Sequence, residues 1–193
     1  MLIRRSARLA AIILGTALIA FLVLRHIPDQ LAAAPRSLGA WTNSFKILTL
    51  AGGAFVIAGS IPGSFPKWFV PLGRFALAIT VLVFGIDHFV YTPFVAQLVP
   101  SWIPGHHFWT YFCGAALIAA GLGMIFRILP RLAAGMLGGM IFIWLLVLHI
   151  PRAMADPHSG HGNEWTSVFE ALAFSGIAFF LALPKESAPR NDR

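Results

Sequence analysis

Two histidines at the ends of apolar segments are the residues best suited to chemistry in this sequence. His88 directly follows Asp87 near the end of one segment, and His149 stands just before Pro151 and Arg152 near the end of another. Imidazole takes up and releases protons near neutral pH, and it also ligates zinc, copper and haem iron. The pattern therefore predicts a site for proton transfer or metal binding at these segment ends.

Lys46 and Glu170 are charged residues inside apolar segments, where an isolated charge is costly. Each lies five residues after the tryptophan of a Trp-Thr pair, Trp41 in one case and Trp165 in the other. The shared position predicts that the two side chains meet and form an ion pair. Arg152 or a histidine is the alternative partner for Glu170, and hydration near a surface is the other interpretation.

The segments that carry these residues are too apolar for a water-soluble domain. The chain of 193 residues is 58% hydrophobic and 11% charged, with a mean hydropathy of +0.80. Soluble domains have about 25% charged residues. The net charge of +7 comes from Lys and Arg in short connections and at the ends, without the basic stripe that nucleic-acid binding requires. The composition predicts the lipid bilayer as the partner, and no nucleic acid.

Six stretches approach the roughly 20 apolar residues that a membrane-crossing helix needs. They cover residues 8–25, 42–60, 73–91, 108–126, 131–149 and 165–183. Prolines separate them, and Pro28 and Pro151 are predicted to end helices because proline lacks the backbone N–H donor. The first stretch has the basic start of a signal peptide, but charged residues follow its apolar run, so we expect this helix to be retained. The predicted fold class is an all-α integral membrane bundle of six transmembrane helices.

The distribution of basic residues predicts that both termini are cytoplasmic, because basic residues concentrate on the inner side of membrane proteins. With the N-terminus inside, the inner set is Arg4, Arg5, Arg8, Lys67, Arg74, Arg127, Arg131, Lys185, Arg190 and Arg193, and the outer set is Arg25, Arg36, Lys46 and Arg152. All seven histidines then fall on the outer side. The predicted location is a cytoplasmic (inner) membrane.

An internal repeat divides the chain into three helical hairpins. Arg25-His26-Ile27-Pro28 resembles Leu148-His149-Ile150-Pro151, and His26, His88 and His149 are separated by 62 and 61 residues. Each hairpin has a helix that ends outward in a histidine near a proline, followed by a helix that opens with Trp-Thr. If the hairpins pack around a shared axis, their outer ends meet.

Residues at these outer ends form the predicted site. The candidate ligand-binding residues are Asp87, His88, Trp102, Trp109, His149, Arg152, Trp165 and Glu170. His26, His88 and His149 together would suit zinc or copper, and His88 with His149 would suit the axial positions of a haem. Cys113 is the only cysteine, which excludes an intrachain disulfide and a cysteine-ligated cluster. The structural interpretation is that His and Arg only bind carbonyls freed at helix ends.

Four short motifs resemble the DoxX family of small bacterial membrane proteins. They are Gly85-Ile86-Asp87-His88-Phe89, Val99-Pro100-Ser101-Trp102-Ile103-Pro104, His149-Ile150-Pro151-Arg152, and Glu164-Trp165 with Glu170-Ala171-Leu172-Ala173. The resemblance covers roughly residues 70–184 and implies a four-helix unit there, in a membrane that is bacterial. An additional hairpin at 1–69 precedes this unit, and a cytoplasmic tail at 185–193 follows it.

The resemblance implies a link to quinone-dependent redox systems, since the family takes its name from a subunit of a thiosulfate:quinone oxidoreductase. Quinone carbonyls accept hydrogen bonds from His or Arg, and quinone turnover needs proton transfers that His suits. The favoured hypothesis is a redox-linked, quinone-associated membrane component with a redox enzyme as partner. The alternative is a non-enzymatic membrane scaffold or a small-solute transporter, for which a homo-oligomer is expected. Whether the site catalyses a reaction is left open.

Overall fold

Helices account for nearly all of the described chain. The structure is a computed structural model that describes residues 2–62, 66, 68–158 and 162–184, and within these residues it contains no β-strand. The helices are α1 (Leu2–Phe21), α2 (Ile27–Ala33), α3 (Thr42–Ser60), α4 (Phe69–Val90), α5 (Thr92–Leu98), α6 (His106–Ile125), α7 (Pro130–Trp144), α8 (Ile150–Ala155) and α9 (Asn163–Ala182). The predicted all-α class is confirmed. The predicted tail at 185–193, Lys67 and His161 lie outside the described residues.

Five helices are long and apolar enough to cross a membrane. They are Ile3–Ala33, which runs through α1 and α2, Phe69–Val90, His106–Ile125, Pro130–Ala155, which runs through α7 and α8, and Asn163–Ala182. Large apolar side chains on them face outward, with Phe75 53% exposed and Ile143 59% exposed. Such a surface requires an apolar solvent. Helix α3 has 19 residues, but Asn43 and Lys46 lower its mean hydropathy, and it is not among the five.

The long helices pack in the order that the repeat predicts. Helix α1 packs against α3, α4 against α6, and α7 against α9, while α3 with α4 and α6 with α7 join the hairpins. In each hairpin a short helix, α2, α5 or α8, separates the two long ones. The short helices therefore mark one common end of the bundle, where the histidines lie.

Pro28 and Pro151 do not end their helices, so that prediction was wrong. A π-helical turn precedes each proline, at Leu22–His26 and at Leu145–His149, and the helix continues beyond it. In each turn the N–H after the histidine donates to the carbonyl five residues back. The wider turn accommodates the proline ring, which clashes with the preceding turn of a regular α-helix. The two turns occupy equivalent places in the repeat.

Glycines set the close approach of α4 to its neighbours. A β-carbon added at Gly52 of α3 would lie 2.7 Å from the β-carbon of Ala76, and one added at Gly85 of α4 would lie 2.8 Å from the carbonyl oxygen of Gly114. Both separations are below van der Waals contact, so only glycine fits. Close backbone packing of this kind is how small residues hold membrane helices together.

The larger of two hydrophobic core clusters among the described residues lies in the half of the bundle away from the histidines. Its buried side chains come from α4, α6, α7 and α9, and they include Leu77, Val81, Leu117, Met124 and Leu137. Val81 and Leu117 also form the floor of a cavity that opens toward the histidine-bearing end. This core therefore supports the side chains that line the cavity.

Basic groups gather at the opposite end. Arg8 of α1 donates hydrogen bonds of 2.6 and 2.8 Å to the carbonyl oxygens of Ile61 and Pro62, just beyond α3. Arg74 of α4 and Arg127 after α6 are close enough to repel each other. This end of the described chain is therefore the basic one, and the histidine-bearing end carries the carboxylates.

Candidate functional site

A cavity of about 560 Å³ lies between the helices at the histidine-bearing end. Charged, titratable and hydroxyl-bearing side chains from several helices line it, among them Lys46, Asp87, His88, Tyr91, His149 and Glu170. Its other walls are mainly aromatic and aliphatic, and Val95, Leu98 and Val99 in and after α5 close part of its outer side. The volume is within the range of small-molecule pockets, which are mostly apolar with a few placed polar groups.

Lys46 and Glu170 form an ion pair on the cavity wall. Lys46 Nζ lies 2.8 Å from Glu170 Oε2, and the side chains are 19% and 17% exposed. The predicted ion pair between Lys46 and Glu170 is thereby confirmed. Arg152, the alternative partner of Glu170, pairs with Glu164 instead. In a pair so little exposed, each charge compensates the other, so replacement of either residue leaves a buried charge without a partner.

His88 presents one ring nitrogen to the cavity in a defined state. Its Nδ1 lies 2.7 Å from the carbonyl oxygen of Phe84, one turn earlier in α4. A carbonyl oxygen only accepts, so Nδ1 carries the hydrogen and donates it. In the neutral ring Nε2 is therefore an acceptor, and proton uptake at Nε2 turns it into a donor. This backbone contact orients the ring.

Asp87 and Tyr91 connect α4 to the start of α3. The Tyr91 hydroxyl accepts a hydrogen bond of 3.1 Å from the backbone N–H of Gly39, which leaves its own hydrogen available. The Thr42 hydroxyl lies within hydrogen-bonding reach of the Asp87 carboxyl. Asp87 Oδ1 is buried and has no hydrogen-bond partner among the described residues. A buried carboxyl oxygen of this kind is an available acceptor for a ligand.

His149 ends the π-helical turn of the third hairpin, and its ring lines the cavity between two ion pairs. It interacts electrostatically with Glu164, Lys46 and Arg152. No hydrogen bond to another described residue uses its ring nitrogens. One ring nitrogen is therefore free to donate to a ligand and the other to accept.

Aromatic rings complete the walls of the cavity. Trp109 and Trp144 meet edge to face, with ring centroids 6.3 Å apart, and Trp144 Nε1 donates to Cys113 Sγ at 3.0 Å. Phe84 and Phe174 are nearly parallel at 6.4 Å. Rings in these orientations can pack against a flat ligand from two sides.

Three of the eight predicted ligand-binding residues do not line the cavity. Arg152 donates to both carboxylate oxygens of Glu164, at 3.1 and 2.6 Å, and so joins α8 to the start of α9. Trp102 is 69% exposed in the connection after α5, and Trp165 is 40% exposed at the start of α9. Exposed indoles near the ends of apolar helices are typical of a membrane–water boundary. The other five, Asp87, His88, Trp109, His149 and Glu170, do line it.

The three-histidine metal site is not assembled among the described residues. His88 and His149 line the cavity, but His26 does not, and its ring packs against Phe21 at 5.0 Å in the first hairpin. No group of three His, Cys, Asp or Glu side chains in the described chain is placed to hold a metal ion. The first hairpin lies at the edge of the bundle, so the repeat does not bring its histidine to the centre. The haem hypothesis, which needs only His88 and His149, stays a prediction.

Sequence reasoning left out several residues of the cavity. Tyr91 lies three residues after His88 and four after Asp87, a helical spacing that would have placed it on the same face. Thr42, Cys113 and Trp144 carry no comparable local signal, because they reach the cavity only through packing between hairpins.

Together these features define a class: a helical membrane protein with a partly charged cavity at one end of its bundle. The family model that matches is Domain of unknown function (DUF8561), over residues 77–182, which is more than half of the chain. The chain therefore belongs to this family. No curated protein and no solved structure matches it.

The predicted membership of the DoxX family was wrong, since the family model that matches is a different one. The motifs behind it combine histidine, proline and tryptophan at the ends of apolar helices. Proline in the first turn of a helix and tryptophan near a membrane boundary recur for general backbone and interfacial reasons. The redox role that the resemblance implied loses this support.

Proposed function

We propose that this protein is a redox-linked membrane component that binds a quinone in the cavity at its histidine-bearing end. One observation carries the proposal: all three hairpins contribute charged or titratable residues to one aromatic cavity. These residues are Lys46 of the first hairpin, Asp87 and His88 of the second, and His149 and Glu170 of the third. Charged and titratable groups at membrane depth are costly, and they are usually functional.

The chemistry of the walls suits a quinone ring. Its two carbonyl oxygens need donors, and Lys46, His149 and Tyr91 offer N–H or O–H groups. Its reduced form carries hydroxyls that need acceptors, and Asp87 Oδ1 and His88 Nε2 are available. The ring itself would pack between the aromatic walls. A redox role further requires a partner enzyme that exchanges electrons with the bound quinone.

Replacing His149 with alanine is expected to weaken quinone binding about tenfold, the loss of roughly one hydrogen bond. The measurement is quenching of tryptophan fluorescence by dimethylnaphthoquinone, since Trp109 and Trp144 line the cavity. This quinone has no free ring position for addition of the Cys113 thiol. His107→Ala is the matched control, because His107 is exposed and does not line the cavity. Equal affinity of both variants would mean that the quinone binds outside this cavity. Absence of saturable quenching in wild type would favour a non-enzymatic scaffold or a transporter instead.

The proposal includes six membrane spans, with α3 as the sixth, and both termini in the cytoplasm of a bacterium. The basic end formed by Arg8, Arg74 and Arg127 would face the cytoplasm, which agrees with the positive-inside rule. The cavity would then open toward the outer face.

This orientation predicts which positions a membrane-impermeant maleimide reaches in whole cells. His107→Cys at the start of α6 should be labelled, and Ile128→Cys after the same helix should be labelled only after permeabilisation. Both positions are exposed, whereas the native Cys113 is buried and gives a low background. The reverse pattern of labelling would invert the orientation.

A further inference from the structure

An apolar groove of about 910 Å³ runs along the outside of the bundle between α6 and α7. Among the described residues its lining is apolar except for the indole N–H groups of Trp109 and Trp144. Gly139 leaves part of its wall open, since a β-carbon added there would meet no atom within 4 Å. The groove faces the same surroundings as Met136, whose side chain is 69% exposed. It is therefore open to the hydrocarbon of the membrane.

The groove adjoins the cavity that binds the proposed quinone, and the two spaces share a wall. Trp109, Met140 and Trp144 line both spaces. Trp144 is held by its hydrogen bond to Cys113, while Met140 has a flexible side chain that adapts to what lies beside it. These three side chains form the wall between the polar cavity and the apolar groove.

The length of the groove distinguishes between hydrocarbon occupants. Along α6 it extends from Trp109 to Gly123, which is roughly 20 Å at about 1.5 Å per residue. One leaflet of the membrane is about 15 Å deep, half of the roughly 30 Å hydrocarbon core. The groove thus reaches past the middle of the membrane, farther than the acyl chain of an outer-leaflet phospholipid extends.

We propose that the ligand of the cavity carries a single long isoprenoid tail, which lies in this groove while the head lies in the adjoining cavity. The link between head and tail passes beside the flexible side chain of Met140, since Trp109 and Trp144 are in contact with each other. The inference rests on the proposed function and names the class of ligand more narrowly: a tailed quinone taken directly from the membrane. The polar cavity binds the head, and the apolar groove gives the tail a contact surface that a tailless quinone does not use.

The test compares two quinones with the same ring in phosphatidylcholine nanodiscs. Phylloquinone has a phytyl tail, and dimethylnaphthoquinone has a methyl group in its place. Gly139→Leu puts a side chain into the open part of the groove, and Gly176→Leu is the matched control, because a β-carbon there also meets nothing within 4 Å and Gly176 lines neither space. Each variant is compared with wild type for the same ligand, so that partitioning into the membrane cancels.

We expect Gly139→Leu to weaken phylloquinone binding about tenfold, the effect of excluding roughly two methylene groups, and to leave dimethylnaphthoquinone unchanged. Gly176→Leu should change neither. Ala119→Leu in the groove, with Ala115→Leu one turn away as its control, should repeat the pattern if Gly139→Leu fails to fold.

Unchanged binding of both ligands would assign the groove to bulk phospholipid, and equal weakening of both would mean that the leucine disturbs the head cavity. Either result overturns the inference. Absence of binding of both ligands to wild type refutes the proposed function itself.

Discussion

Gly73→Ala is expected to destabilise the protein by about 2 kcal/mol, although alanine favours helices. An added β-carbon would overlap the carbonyl oxygen of Gly52 and Cγ2 of Val56 on α3. Alanine in place of glycine gains up to about 1 kcal/mol of helix propensity. Overpacking costs about 1–3 kcal/mol, and the upper value applies because a backbone oxygen moves only if α3 moves. The measurement is the midpoint of thermal unfolding in detergent.

Gly176→Ala is the control for this prediction. Gly176 also lies within a long helix, α9, but a β-carbon there meets nothing within 4 Å. Its unfolding midpoint should therefore equal or slightly exceed that of wild type. If the two variants have the same midpoint, α3 and α4 do not approach each other as closely as described, and the geometry of the cavity above them is in doubt.

Lys46→Ala should destabilise the protein more than Glu170→Gln. Removal of one partner from a buried ion pair costs about 3–5 kcal/mol, and we expect about 3 kcal/mol because the pair is partly exposed. The alanine leaves the Glu170 carboxylate without a partner. The glutamine keeps an oxygen that accepts from Lys46, and the lysine stem is long enough to move its charge toward water.

A double-mutant cycle separates the pair from its surroundings. The combination of Lys46→Ala and Glu170→Gln should cost less than the sum of the single changes, with a coupling of about 1–3 kcal/mol. Arg25 and Asp29 form an exposed ion pair in the first hairpin, with side chains 67% and 46% exposed. Arg25→Ala should cost less than about 1 kcal/mol. Additive effects at Lys46 and Glu170 would contradict the pairing.

The parts of the fold that depend on local sequence were predictable. The stretch predicted at 42–60 coincides with α3, Thr42–Ser60, because apolar runs and flanking breaks are properties of neighbouring residues. The helices that contain Pro28 and Pro151 continue beyond the ends predicted for them. A π-helical turn that accommodates a proline has no simple sequence pattern. The internal repeat was the signal that paired Lys46 with Glu170.

The site was predictable only in part, because helical phase between hairpins is set by packing. Asp87, His88 and His149 were found because titratable side chains in apolar helices are rare. Trp102 and Trp165 were included in the predicted site because they lie at the same end of the bundle as the histidines. Their indoles are exposed and do not line the cavity. Arg152 binds Glu164 across a chain reversal that motif spacing does not describe. The DoxX resemblance was misleading because proline and tryptophan occur at the ends of apolar helices for general backbone and interfacial reasons.

The most direct test of the central claim is the content of the protein purified in mild detergent from its own membrane. Lipid extraction with mass spectrometry, an absorption spectrum and elemental analysis are measured on the same sample. We expect a retained quinone at close to one per chain, with a lower content in His149→Ala and an unchanged content in His107→Ala. A protein that carries no quinone from a quinone-containing membrane, or one with the Soret band of a haem, would contradict the account.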